Sequence, residues 1–218
     1  MEDKIRGAYK QSKDIYDDVL TQNKWWSKLY IRLFWGVDDN EITEKLFKML
    51  PKVFTGSMLD VPCGTLNLTV NQYLEMPQCM ITCLDYSEDM LTAAKERIAK
   101  HSLSHVSAIQ GDVGDLPFED SAFDIVLSMN GFHAFPDKER AFSETARVLK
   151  PGGMFLGCFY IKGETKRSDF VVNVVLARKG WFTPPFQTKN DVLAALKKRY
   201  TKVELFSEKA MVWFRCIK

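Results

Sequence analysis

The chain predicts an α/β fold: a three-layer sandwich around a mostly parallel seven-stranded sheet, with one antiparallel strand in a C-terminal hairpin and N-terminal helices as a lid. Three observations carry this. Residues 58–70 (MLDVPCGTLNLTV) read as strand, tight turn and helix start. Residues 58–61 are apolar apart from Asp60, Gly64 can take backbone angles a side chain would forbid, and Asn67 suits a helix N-cap. Beyond this stretch, short apolar runs alternate with helical ones, as in a parallel sheet with crossover helices. The chain then closes on two strands, 202–206 and 211–217, separated by 207–210.

Taken in order, residues 1–50 read as helical. Trp26, Leu29, Tyr30, Leu33 and Phe34 recur at helical spacing, and Leu46, Phe47 and Leu50 continue it in a second helix. Gly36 and residues 38–40 separate the two, and Pro51 ends the second. From Ser57 the pattern changes. The apolar runs 58–61, 80–84, 106–109, 123–127 and 154–160 suit strands buried on both faces. Helices fall between them at about 67–75, 87–100 and 137–150. Ser87 caps the second of these, with Glu88 and Asp89 against its dipole. The third carries Ala141, Phe142, Thr145, Ala146, Val148 and Leu149 on one face before Pro151, Gly152 and Gly153 stop it. After a Lys/Glu-rich connector, Thr188 and Asp191 form a capping box for a helix to about Tyr200. The whole reads as one domain, 1–218: a helical lid (1–54), a core (55–160), a connector (161–187), and a C-terminal helix with hairpin (188–218).

Composition excludes several classes. With 46% hydrophobic residues in 218, the chain can build a single substantial core. Thirty basic against 28 acidic residues give a net charge of +2 and no reason to expect a nucleic-acid partner. The cysteines at 63, 79, 83, 158 and 216 lack C-x-x-C spacing, which points to buried reduced thiols, with no disulfide framework and no metal. No signal-peptide pattern and no apolar run near about 18 residues is present, so a cytoplasmic protein without integral membrane association is expected.

Past the first loop come CLDYSEDM (83–90), QGDVGDLPF (110–118), FDIVLSMNGFHAF (123–135) and LKPGGMFLGCFY (149–160). This ordered series resembles the class I, Rossmann-like S-adenosyl-L-methionine (SAM) dependent methyltransferases, especially the small-molecule branch that includes the ubiquinone/menaquinone C-methyltransferases. The likeness covers about 56–160, with a looser match at the C-terminal end. Where the family has an acid and then alternating glycines, this chain has Asp60, then Pro62, Gly64 and Leu66. The resemblance implies SAM as cofactor, S-adenosyl-L-homocysteine as product, and a small, partly apolar methyl acceptor as partner. It implies cofactor contacts from Asp60, Pro62, Cys63, Gly64, Thr65 and Asn67 in the first loop, and from Asp85, Tyr86 and Met90 after the second strand. Asp112 and Val113 follow after the third, and Ser128, Met129 and Asn130 after the fourth.

The residues themselves agree in part. Asp85 ends the second strand 21 positions beyond Gly64, where a carboxylate can accept both hydrogen bonds of a ribose diol. An NAD-dependent oxidoreductase would use the same acid, but Pro62 and Leu66 intrude where a pyrophosphate loop needs small residues. A buried Asp60 needs donors, and loop N–H groups and the cofactor's ammonium are the natural ones. Asp112 is the acid that would meet the adenine amino group, or else a turn aspartate before Gly114. No [DN]-P-P-[YF] follows the fourth strand, and Cys63 reads as a loop residue and not a nucleophile. His133, between Phe132 and Phe135, is either a catalytic base or a packed loop histidine. His101 and His105 look solvated. Trp25, Trp26, Tyr30, Phe34 and Trp35 form an aromatic helix that suits a lid, plain packing or a membrane surface, in that order. Trp26, Tyr30, His133 and Trp181 are the expected acceptor-pocket residues. Enzyme or SAM-binding, non-catalytic module: both readings remain, the enzyme first.

Overall fold

The computed structural model describes residues 39–51 and 53–218. The aromatic helix expected around Trp26 and Tyr30 lies outside the described residues. Chain order is α1 (Asp39–Phe47), β1 (Gly56–Asp60), α2 (Val70–Leu74), β2 (Cys79–Asp85), α3 (Glu88–Lys100), β3 (Val106–Gln110), β4 (Phe123–Met129), α4 (Lys138–Val148), β5 (Leu149–Tyr160), α5 (Lys166–Val171), a π-helical turn (Val172–Leu176), α6 (Lys189–Lys197), β6 (Lys202–Glu208) and β7 (Met211–Ile217).

The seven strands lie in the order β3-β2-β1-β4-β5-β7-β6. β1 to β5 pair in parallel, and β7 runs antiparallel to both β5 and β6. This is the sheet expected from the sequence. From β1 the chain winds outward through β2 and β3, then returns to β4 on the other side of β1. That reversal opens a crevice beyond the carboxyl ends of β1 and β4, where α/β sheets hold their ligands.

Strand side chains alternate between faces, so the sheet divides the core in two. Met58 and Leu59 are adjacent and fully buried, yet Met58 packs with Tyr73, Ile81 and Trp213, and Leu59 with Phe132, Phe142 and Phe155. Each such side chain contributes about 1.5–3 kcal/mol by leaving water. All five cysteines are buried and unbridged.

Several boundaries differ from the sequence reading. α1 starts at Asp39, so residues 39 and 40 of the expected break are already helical. α2 begins only at Val70, with Thr69 at its N-cap, because residues 61–69 are spent on turns; Asn67 is a loop residue. β5 starts at Leu149 directly after α4, and Pro151, Gly152 and Gly153 form an irregular stretch within it where the β4 register shifts. α6 ends at Lys197 rather than near Tyr200. His105 is not simply solvated: its Nε2 lies 3.0 Å from the Tyr73 carbonyl. The caps at Ser87 and Thr188 form as read, the latter as a complete capping box. Among the described residues no helix is long and apolar enough to cross a membrane.

Candidate functional site

β1 delivers Asp60 to the crevice, and the chain turns back through 61–69 into α2. Pro62 occupies its place because the facing loop supplies Gly131. A Cβ added to Gly131 would lie 2.3 Å from Pro62 Cδ and 2.7 Å from Phe135 Cζ. Gly64 (φ 56) and Leu66 (φ 60) both take left-handed backbone. At Gly64 an added Cβ would meet nothing within 4 Å, so this backbone faces open space. Leu66 accepts a penalty of about 1–2 kcal/mol there, and its side chain is fully buried against the core. From α3, Arg97 Nη1 donates to the Thr65 carbonyl at 2.7 Å and pins the outer rim of the loop.

Three carboxylates converge. Asp85 is 8% exposed; Gly64 N–H donates to its Oδ2 at 2.8 Å and Ser87 N–H to its Oδ1 at 2.9 Å. Burial raises its pKa against the pull of the backbone N–H groups of Ser87, Gly64 and Tyr86. The acid therefore ties the first loop to the start of α3 as well as facing the crevice. Asp60 is 1% exposed and accepts from the Tyr73 hydroxyl at 2.7 Å. Burial pushes its pKa up to about 7; the Tyr73 hydrogen bond opposes the shift and the negative charge of Asp85 adds to it. Asp112 Oδ1 accepts from Gly114 N–H at 2.7 Å, so it is a turn aspartate that also lines the crevice. The Cys63 thiol is held well above its usual range by the neighbouring Cys83 thiol and by burial, which keeps it neutral.

These groups surround a cavity of about 760 Å³. Of the residues the resemblance implies for the cofactor, Asp60, Pro62, Cys63, Gly64, Thr65, Asn67, Asp85, Tyr86, Met90, Asp112, Val113, Met129 and Asn130 all line it. Ser128 does not: it is fully buried inside β4, one pleat back from Met129. The lining residues beyond that set include three groups. Leu68 and Thr69 face the cavity because α2 starts late; Glu88, Asp89 and Thr92 belong to the first turns of α3; Ala134, Phe135 and Pro136 fold over from the loop after β4. The aromatic pair around His133 was the available signal for the last group.

His133 is not among the lining residues. Its ring stacks on Phe182 (centroids 3.9 Å apart, planes 10° apart), and its Nδ1 accepts from Tyr160 N–H at 3.4 Å. Burial, with the nearby Lys138 charge, lowers its pKa to about 3, so it is neutral with the hydrogen on Nε2. Lys138 was not anticipated. Its buried Nζ donates to the carbonyls of Phe135 (2.9 Å) and Thr183 (2.7 Å), joining the cavity loop to the connector. Trp181 is half-buried on that connector, with Lys179 Nζ 4.9 Å from its ring centre. Above the end of β4, Thr43 Oγ1 of α1 approaches Met129 Sδ at 3.8 Å.

Residues 58–153 match the family described as a methyltransferase domain. Over this stretch the chain is similar to the class I methyltransferases, the menaquinone methyltransferases among them. It is 39% identical over 103 residues to the demethylmenaquinone methyltransferase of Listeria monocytogenes serotype 4a (strain HCC23), covering 47% of this chain and 43% of the relative. With the enzyme of the same name from Staphylococcus aureus (strain JH9) it shares 43% over 97 residues, 44% of this chain and 39% of the relative. The chain thus spans less than half the length of these relatives. Among solved structures, a SAM-dependent methyltransferase from Thermotoga maritima superposes with a TM-score of 0.72 at 17% identity, over 98% of this chain and 99% of the other. One from Aquifex aeolicus gives 0.63 at 17%, over 86% and 92%. The crevice fits SAM: it is of ligand size, bare backbone meets it at Gly64, two carboxylates reach it at Asp85 and Asp112, and Val113, Phe135 and Met90 supply apolar walls.

Proposed function

We propose that this protein transfers the methyl group of SAM to a small, partly apolar acceptor, one resembling the demethylmenaquinone named for its relatives. The observation that carries this is the convergence of Asp60, Gly64, Asp85 and Asp112 on one cavity at the sheet's switch point. In this reading Asp85 accepts from the ribose hydroxyls, Asp112 and the Val113 N–H hold the adenine edge, and Asp60 offsets the ammonium charge. When bound, SAM supplies a methyl carbon on a sulfonium that is already a good leaving group. The chain's own residues therefore position and desolvate more than they activate. Met129 and Asn130 set the end of β4 beside the transfer path. His133, stacked on Phe182 with its Nδ1 lone pair engaged by Tyr160, stands behind the cavity wall, and the acceptor reacts without an imidazole base. A non-catalytic module is disfavoured because the two departures from the glycine pattern are accommodated: Pro62 fits against Gly131 and Leu66 keeps the left-handed turn.

The test is a mass-resolved assay of a panel of naphthoquinols, phenols, amines and thiols with SAM. A 14-dalton gain on an apolar ring acceptor, about one methyl in place of hydrogen, supports the reading. SAM binding with no product from any of these classes supports the non-catalytic alternative.

A further inference from the structure

We propose that the outward face of α5 and the following π-helical turn docks peripherally on an anionic lipid bilayer. The segment is amphipathic in an unusual sense. Ser168, Val172 and Leu176, four residues apart, are buried against the body of the domain. The opposite side exposes Phe170 at 66% and Val175 at 36%, beside the exposed Lys166, Arg167, Arg178 and Lys179. Phe170 has Lys166 and Arg167 as its neighbours one turn back on the same face. Residues 162–181 carry five basic side chains against two acids, Glu164 and Asp169. Asp169 is drawn inward, accepting from the Tyr160 hydroxyl at 2.6 Å and from Gly163 N–H at 3.0 Å. What faces outward is apolar side chains ringed by positive charge, the composition of a helix lying in a headgroup region.

The charge decides between occupants. Residues 24–35 of the same chain (KWWSKLYIRLFW) hold three basic residues and no acid, so they would bring like charge to this face. A nucleic acid matches the charge but gives no apolar medium to Val175. An anionic bilayer satisfies both. The segment follows the carboxyl end of β5, and its continuation stacks Phe182 on His133, in the same loop as the cavity-lining Ala134, Phe135 and Pro136. Docking here would bring the acceptor side of the site toward the apolar phase in which a partly apolar acceptor dissolves. That functional meaning rests on the proposed acceptor class; the docking itself does not.

The full chain should co-sediment with vesicles of phosphatidylglycerol and much less with vesicles of phosphatidylcholine, and the binding should weaken as salt rises. Phe170→Asp should reduce the bound fraction constant at least about tenfold, and Lys166→Glu with Arg178→Glu at least about tenfold. Stabilisation by SAM, measured in parallel, should be the same in all variants and shows that they are folded. Equal vesicle binding by wild type and both variants overturns the proposal, as does absence of vesicle binding, or binding of single-stranded RNA instead. Vesicle binding that responds to these substitutions in a chain that ignores SAM would uphold the docking face and remove the methyl-transfer reading.

Discussion

Asp60 is a carboxylate fully enclosed by the sheet end, and among the described residues its side-chain donor is the Tyr73 hydroxyl. With a folded pKa of about 7 against 3.8 for the free side chain, the sign of its linkage is fixed. Below about pH 4 it is protonated in both states and costs nothing. As pH rises toward 7 the unfolded chain ionises first, so stability falls, by about 4 kcal/mol in total once both states are ionised. Urea unfolding at several pH values should show this decline in the wild type and not in Asp60→Asn. Tyr73→Phe, which removes the bond that holds the pKa down, should extend the decline to higher pH. Identical pH profiles for wild type and Asp60→Asn would mean that Asp60 is ionised at no cost and that other donors reach it. Nothing in the sequence pairs these two residues. Asp60 was legible as a buried acid from its apolar neighbours, but its partner comes from α2 through tertiary packing.

At the level of elements, the first loop and the loop after β4 behave as one unit. Pro62 and Gly131 are complementary in shape, so changing one should matter through the other. Gly131→Ala places a methyl into Pro62 and Phe135, at an expected cost of about 1–3 kcal/mol. Pro62→Gly in the same chain should recover part of that loss, giving a coupling of about 0.5–3 kcal/mol in a double-mutant cycle. Strictly additive effects in thermal unfolding would show that the two loops do not bear on each other. Lys138 extends the unit to the connector by holding the carbonyls of Phe135 and Thr183 together. The strands and the caps at Ser87 and Thr188 were readable because local pattern and chemistry specify them. The late start of α2, the Pro62–Gly131 fit and the Lys138 clamp were not, because each depends on a residue distant in sequence. Ser128 differs for a simpler reason: the reading placed it after the fourth strand with Met129 and Asn130, whereas β4 runs on to Met129 and keeps Ser128 buried inside it.

For the molecule as a whole, the seven-stranded order brings Asp60, Asp85 and Asp112 together beyond the carboxyl ends of the strands, and the glycine pattern of the first loop survives there in altered form. The central claim is that this crevice binds SAM. Calorimetric titration of the full chain with SAM tests it most directly, with Asp85→Asn and NAD as comparisons. Saturable one-site binding is predicted, with about 2.7 kcal/mol of added stability at a hundredfold excess over Kd. Asp85→Asn should weaken binding by about 2–4 kcal/mol, through lost charge-assisted bonds to ligand and loop alike, and NAD should give no heat. A flat SAM titration of protein that unfolds cooperatively, or equal binding by wild type and Asp85→Asn, would contradict the account.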